Sequence, residues 1–199
     1  MQKPTTRRVA ILIFDDVEVL DFCGPFEVFG VCGRYGAPPP PFEVFTVAEA
    51  VRPISARNGL SVNPRYALGD CPSADIVLVP GGWGTRREMY NDRIVAWVRE
   101  QSTKVELLLS VCTGALILGK AGLLDGLEAT THAGAVELLR EVAPRTTIRP
   151  ERRYVDNGRI ITSAGISAGI DMSLHVVGRL LGVEAARATA RYMEYDWSP

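Results

Sequence analysis

The stretch "LLLSVCTGALILGKAGLLDG", residues 107–126, decides how this chain is read. Apolar, strand-forming residues run straight into Cys112, small residues turn the chain, and an amphipathic run follows from 114. The pattern is a buried strand, a sharp turn and a helix. A cysteine at such a seam either fills space, as free cysteines commonly do, or projects from the top of a sheet where its sulfur can react. Working outward, the strand half of the pattern recurs. "VAILIF" (9–14) and "ADIVLVPGG" (74–82) are continuous apolar runs rich in branched residues, as in strands buried on both faces. "FEVFTVAE" (42–49) predicts a further strand.

Helical signals alternate with these strands. "GPFEVFGVCGRYG" (24–36) predicts a helix opened at Gly24-Pro25 and stopped at Gly33 and Gly36. Further helices are expected over 90–102, capped by Asn91 or Asp92, over 114–122, near 133–142, and in "ISAGIDMSLHVVGRLLG" and "VEAARATARYMEYD". Asn58-Gly59 and Asn157-Gly158 predict two hairpins, and "APPPPFE" (37–43) a stiff linker. Strands alternating with helices predict an α/β fold. The expected form is a three-layer sandwich with a largely parallel sheet, helices on both faces and an elbow at Cys112. At 199 residues the chain fits one domain, 1–199, large enough to bury a core.

Composition excludes several function classes. With 22 basic and 23 acidic residues the net charge is -1, which gives no electrostatic footprint for nucleic acid or an anionic membrane. The pairs Arg86–Arg87 and Arg152–Arg153 read as solvated charge. No apolar run has the length of a membrane span, and "MQKPTTRRVA" lacks the apolar centre of a signal peptide, so a cytoplasmic protein is expected. The four cysteines, Cys23, Cys32, Cys71 and Cys112, make no CxxC pair and have no metal-ligand spacing. Free thiols, no metal and no cofactor are expected.

Ligands bind beyond the carboxyl ends of strands in open α/β sheets. Three glycine-punctuated stretches are expected there: "DDVEVLDFCGP" (15–25), "PGGWG" (80–84) and "VCTGA" (111–115). A thiol at Cys112 would lie at a helix N-terminus, where the local field favours thiolate. The Thr113 amide, with one from Gly81 or Gly82, could form an oxyanion hole. Asp21 is either a helix N-cap or, flanked by Leu20 and Phe22, a shielded carboxyl sharing a proton with the thiol. Asp15, Asp16 and Glu18 read as loop charges. His132 is a cap or a base for the cysteine; His175, on an apolar helix, is a satisfied packing residue. Trp83 reads as the wall of an apolar pocket, since "GGWGTR" lacks the features of a phosphate loop.

With these residues in view, the chain resembles the ThiJ/PfpI superfamily, relatives of the class I glutamine amidotransferases. The resemblance runs through "VAILIFDDVEVLDFCGPFEVF", "DIVLVPGG", "LLLSVCTGALILGKAGLLDGLEATTH" and "VDNGRIITSAGISAGIDMSLHVVGRLLG". It implies the α/β sandwich, a cysteine at the elbow and a homodimer. Thr113 stands where PfpI-type proteases carry histidine, and no downstream His-x-Glu pair of amidotransferases occurs. Asp-x-x-Gly-Pro with Cys-Thr-Gly is most similar to the isonitrile hydratase branch. That implies Cys112 as nucleophile, Asp21 as acid/base and Thr113 in support, acting on a small electrophilic substrate. The alternatives are a glyoxalase- or deglycase-like stress enzyme, and a ligand- or redox-sensing domain like the N-terminal domains of AraC-type regulators.

Overall fold

The computed structural model describes residues 6–33, 36 and 39–198. The start of the predicted linker (37 and 38), the end of the first predicted helix (34 and 35) and residues 1–5 and 199 lie outside them. In chain order the elements are β1 (Arg7–Leu12), α1 (Val19–Val31), β2 (Phe42–Ala48), β3 (Ile54–Ser55), β4 (Ser61–Val62), β5 (Tyr66–Ala67), β6 (Ile76–Val79), α2 (Thr85–Glu88), α3 (Asp92–Ser102), β7 (Leu107–Val111) and α4 (Gly114–Lys120). They continue with β8 (Glu128–Ala129), α5 (Val136–Val142), β9 (Thr147–Ile148), β10 (Tyr154–Asp156), β11 (Ile160–Ser163), α6 (Ala168–Leu181) and α7 (Val183–Tyr192).

The main sheet has the order β10-β11-β7-β6-β1-β2-β5. All its pairings are parallel except β10 with β11. Residues 76–79 and 107–111 are buried without exception, as their unbroken apolar runs predict for central strands covered twice. The chain leaves β1 in one direction along the sheet, toward β2, and leaves β6 in the other, toward β7. Right-handed crossovers in opposite directions lay their helices on opposite faces. Accordingly α1, α6 and α7 pack together, while α2, α3 and α5 gather on α4. The direction reverses between β1 and β6, and that switch point opens the crevice in which such sheets hold ligands.

Both predicted hairpins form. Asn58 and Gly59 take φ of 61° and 82° between β3 and β4, and Gly158 takes 87° between β10 and β11. Asn91 caps α3 by accepting the Arg93 N–H at 3.1 Å. The first helix differs from its prediction: it starts at Val19, so Gly24 and Pro25 are interior and Asp21 lies in the first turn. Proline is tolerated there only at the loss of the hydrogen bond to the carbonyl four residues back, that of Asp21. Among the described residues no helix is long and apolar enough to cross a membrane.

Candidate active site

The turn after β7 holds Cys112 at φ 56°, left-handed backbone that a non-glycine residue occupies under strain. Three hydrogen bonds fix it. The Cys112 N–H points at the carbonyls of Ser163 and Ala164 at 3.1 and 3.2 Å, and its own carbonyl accepts the Thr131 hydroxyl at 2.8 Å. Glycines let the surrounding backbone close in. A Cβ on Gly114 would strike the Val79 carbonyl, and one on Gly165 would meet the His132 ring and, at 3.3 Å, the Cys112 sulfur.

Asp21 is fully buried, and its Oδ2 accepts the Gly81 N–H at 3.0 Å. Its Oδ1 has no hydrogen-bond partner among the described residues. Gly81 has no room for a side chain: a Cβ would lie 2.5 Å from the Thr113 nitrogen and 2.8 Å from Asp21 Oδ2. The carboxyl therefore faces the elbow across a loop pressed against both. Burial pushes Asp21 from 3.8 up to about 7, opposed by the nearby Cys112 thiol and the Gly81 N–H. The thiol and the carboxyl act on each other: the thiol draws Asp21 down, and the carboxylate pushes Cys112 up.

The sulfur departs from expectation. Cys112 is only 5% exposed and is pushed from 9.0 up to about 12, first by burial and then by the Asp21 charge. The Thr113 N–H and hydroxyl pull the other way and lose. The helix-end field that should favour thiolate belongs to α4, a helix of 7 residues, and desolvation beside a carboxylate outweighs it. At neutral pH the pair holds the thiol's proton, and Asp21 is the member that titrates.

The glycine amides are also placed differently from the predicted oxyanion hole. Gly81 N–H is spent on Asp21, and Gly82 N–H donates to Thr113 Oγ1 at 3.0 Å. These two amides build the site and are not offered to a ligand. The Thr113 N–H, which faces the sulfur, remains the amide at the elbow.

The sulfur opens on a cavity of about 260 Å3 whose walls include Glu18, Arg57, Trp83, Arg86, His132 and Ile166. Its lining is more polar than a Trp83 wall predicts. Trp83 is 65% exposed, and the Arg86 guanidinium stacks 4.6 Å from its ring centre. Arg86 is thus a wall residue and not simple solvated charge. Glu18 also lines the cavity, and its charge helps raise Asp21, whereas Asp15 is tied to Arg52 and the Ser55 N–H at 2.8 Å each. His132 Nδ1 accepts the Gly134 N–H at 3.0 Å, so the neutral ring carries its proton on Nε2 as a donor. His175 is satisfied, as expected, by Asp156 Oδ2 at 2.7 Å. Among the described residues no cluster of His, Cys, Asp and Glu could hold a metal ion. A larger cleft of about 440 Å3 lies beyond β1 and β2, but its charges neutralise one another, Arg52 on Asp15 and Arg87 on Glu88, and it holds no nucleophile.

The sequence profile of the DJ-1/PfpI family matches residues 7–179. The isonitrile hydratase of Pseudomonas putida is 34% identical over 192 residues, 96% of this chain and 80% of its own length. The HTH-type transcriptional regulator GbdR of Pseudomonas aeruginosa is 32% identical over 145 residues, 73% of this chain but 39% of the regulator. A ThiJ/PfpI family protein from Pseudomonas syringae superposes with a TM-score of 0.87 at 30% identity, over 98% of this chain and 77% of that one. Drosophila melanogaster DJ-1beta superposes with a TM-score of 0.82 at 17% identity, over 97% of this chain and all of that one, a likeness of fold alone.

Proposed function

The chain belongs to the DJ-1/PfpI family, and from that premise we propose that it is a cysteine-dependent hydratase that adds water to an isonitrile to give an N-substituted formamide. One observation carries the reading: a fully buried carboxyl, Asp21, with one oxygen unpartnered, set against the thiol of a strained elbow. The reaction needs such a pair. An isonitrile carbon must receive both a nucleophile and a proton, and a thiol beside a carboxylate supplies the two together. The Cys112 sulfur attacks the terminal carbon while Asp21 takes the thiol proton and passes it to that carbon, leaving a thioimidate, S–CH=N–R. Asp21, again a carboxylate, then takes a proton from water as its oxygen adds to the same carbon and hands that proton to the nitrogen, giving S–CH(OH)–NH–R, whose hydroxyl holds the last proton to be returned. The C–S bond breaks, the thiol regains its proton, and R–NH–CHO departs. The sum is one water added.

A carboxyl poised near neutrality can both accept and return that proton. The Thr113 N–H and the His132 Nε2–H are the donors proposed for the oxygen of the tetrahedral adduct. Gly81 and Gly82 hold Asp21 and Thr113 in place, and Trp83 borders the entrance. The similarity to a curated isonitrile hydratase across most of both chains supports this choice within a varied family. A cytoplasmic homodimer acting on a small molecule completes the proposal; light scattering tests the dimer.

Cyclohexyl isocyanide is incubated with the wild type and with Cys112→Ala, and the formamide is followed by chromatography. Formamide from the wild type alone supports the reading; equal rates overturn it. Methylglyoxal consumption without formamide would point to the glyoxalase alternative. Selective oxidation of Cys112 by peroxide, without turnover of any electrophile, would point to the redox-sensing alternative.

A further inference from the structure

Thr85, the first residue of α2, is fully buried against the elbow, and the steps above give it no part. Its hydroxyl lies 2.8 Å from the Gly82 carbonyl and 3.0 Å from Thr113 Oγ1. Thr113 Oγ1 accepts the Gly82 N–H at 3.0 Å and lies 3.0 Å from the Gly82 carbonyl as well. Two hydroxyls therefore share one buried carbonyl, each with a single proton to give. The Thr113 proton has a second destination, because its hydroxyl also faces the Cys112 sulfur. Moving it there would take a hydroxyl donor from a buried carbonyl whose other donors, besides Thr85 Oγ1, are the Thr85 N–H and Arg86 Nη1 at a longer 3.3 Å. With Thr85 present the carbonyl keeps its shorter hydrogen bond.

We propose that Thr85 is a positioning residue for the reacting sulfur: it keeps the Gly82 carbonyl satisfied, so that the Thr113 proton is released to meet negative charge developing on Cys112. The inference rests on Cys112 being the reacting group, but its test does not need the isonitrile reaction. In Thr85→Val the carbonyl loses its better donor and holds the Thr113 proton. The sulfur then forms thiolate less readily, although the side chain's shape is kept. Thr85→Ser restores the hydroxyl.

The experiment labels the folded protein with iodoacetamide at pH 8 and follows each cysteine by peptide mass spectrometry. Cys112 in Thr85→Val should label about tenfold more slowly than in wild type, the weight of one hydrogen bond to a charged group. Thr85→Ser should stay within a factor of about two, and Cys23, Cys32 and Cys71 serve as internal controls. Formamide production by Thr85→Val should fall in kcat with KM unchanged. Wild-type labelling of Cys112 in a folded Thr85→Val, or slow labelling in Thr85→Ser, overturns the proposal. Should Thr85→Val unfold, seen as fast labelling of all the cysteines, Thr85→Ala is read by the same criteria. Slowed labelling in a protein that makes no formamide would leave the role of Thr85 standing and remove the hydratase reading.

Discussion

Cys32 and Cys112 are both buried, 3% and 5% exposed, and both thiols are pushed up by desolvation. Cys32 closes the C-terminal end of α1 at an ordinary φ of -58°, between that helix and α7, with the Thr189 side chain as its polar neighbour. Cys112 sits at φ 56° with a buried carboxyl, a threonine amide and a cavity around it. Burial is common to the two and identifies neither. What separates them is unrelieved cost at one of them: a strained backbone and a carboxylate oxygen with no partner. Folding alone does not select for either, and sites that do chemistry are where such costs accumulate.

The sharpest way to break that contrast is to truncate both thiols. Cys112→Ala should lower isonitrile hydration by about 10³-fold or more, the loss expected when a covalent route is closed. Cys32→Ala should keep kcat/KM within about twofold and cost about 1 kcal/mol of stability, as small core truncations do. Comparable activity losses in the two would show that packing, not the elbow, is being measured.

Asp21→Asn comes next, because the carboxyl is the second half of the difference. General acid–base groups contribute about 10²–10⁴-fold, so kcat should fall by that order. In the wild type, kcat/KM should rise with pH through about 7 as Asp21 ionises, and the asparagine variant should lose that limb. Stability moves the opposite way. The folded-state value lies above the unfolded 3.8, so the buried carboxyl's stabilisation is complete below pH 4 and is lost as pH rises through about 7. The penalty above neutrality is of order 4 kcal/mol for a group so buried. The melting temperature of Asp21→Asn relative to wild type should therefore climb between pH 5 and pH 8. A flat difference would show that the carboxyl is solvated after all.

Much of this could be read in the sequence, and the reasons are local. Unbroken apolar runs mark the central strands, Asn-Gly pairs mark the hairpins, and the passage from strand to small residues marks the elbow. Asp21 was legible as shielded, though only half for the stated reason: Phe22 is buried, but Leu20 is 39% exposed. The shield is Gly81, sixty positions away along the chain. What could not be read depends on such distances. The thiol's upward displacement comes from burial and then from a carboxylate on another crossover, the glycine amides are taken by side chains of two other elements, and Gly165, Thr131 and Thr85 reach the elbow only once the loops converge. The helix 85–88 is too short to leave a periodic signal, and only the close spacing of threonines and glycines around the turn hints at a hydroxyl cluster.

Gly165→Ala probes that convergence with an intermediate effect. The added methyl would collide with the His132 ring and crowd the sulfur at 3.3 Å. Overpacking of this kind costs about 1–3 kcal/mol, and kcat should drop about tenfold as the elbow is pushed aside. Gly30→Ala, at a helical position with open space, should do neither.

The smallest effect is expected at His132, and it distinguishes two roles for the ring. A histidine acting as base must present a free nitrogen to the thiol. Here Nδ1 already accepts the Gly134 N–H, leaving Nε2–H as a donor. Glutamine can replace a donor but not a base. His132→Gln should therefore lower kcat/KM by tenfold or less, about one hydrogen bond, and should leave the acid limb near pH 7 in place because that limb belongs to Asp21. A loss of about 10³-fold with disappearance of the limb would transfer the base role to the histidine. His175→Gln is the matching control, since that ring is engaged by Asp156 and stacked on Tyr154 away from the cavity. A comparable loss there would mean the two histidines differ only in position, and the tautomer argument would fail with it.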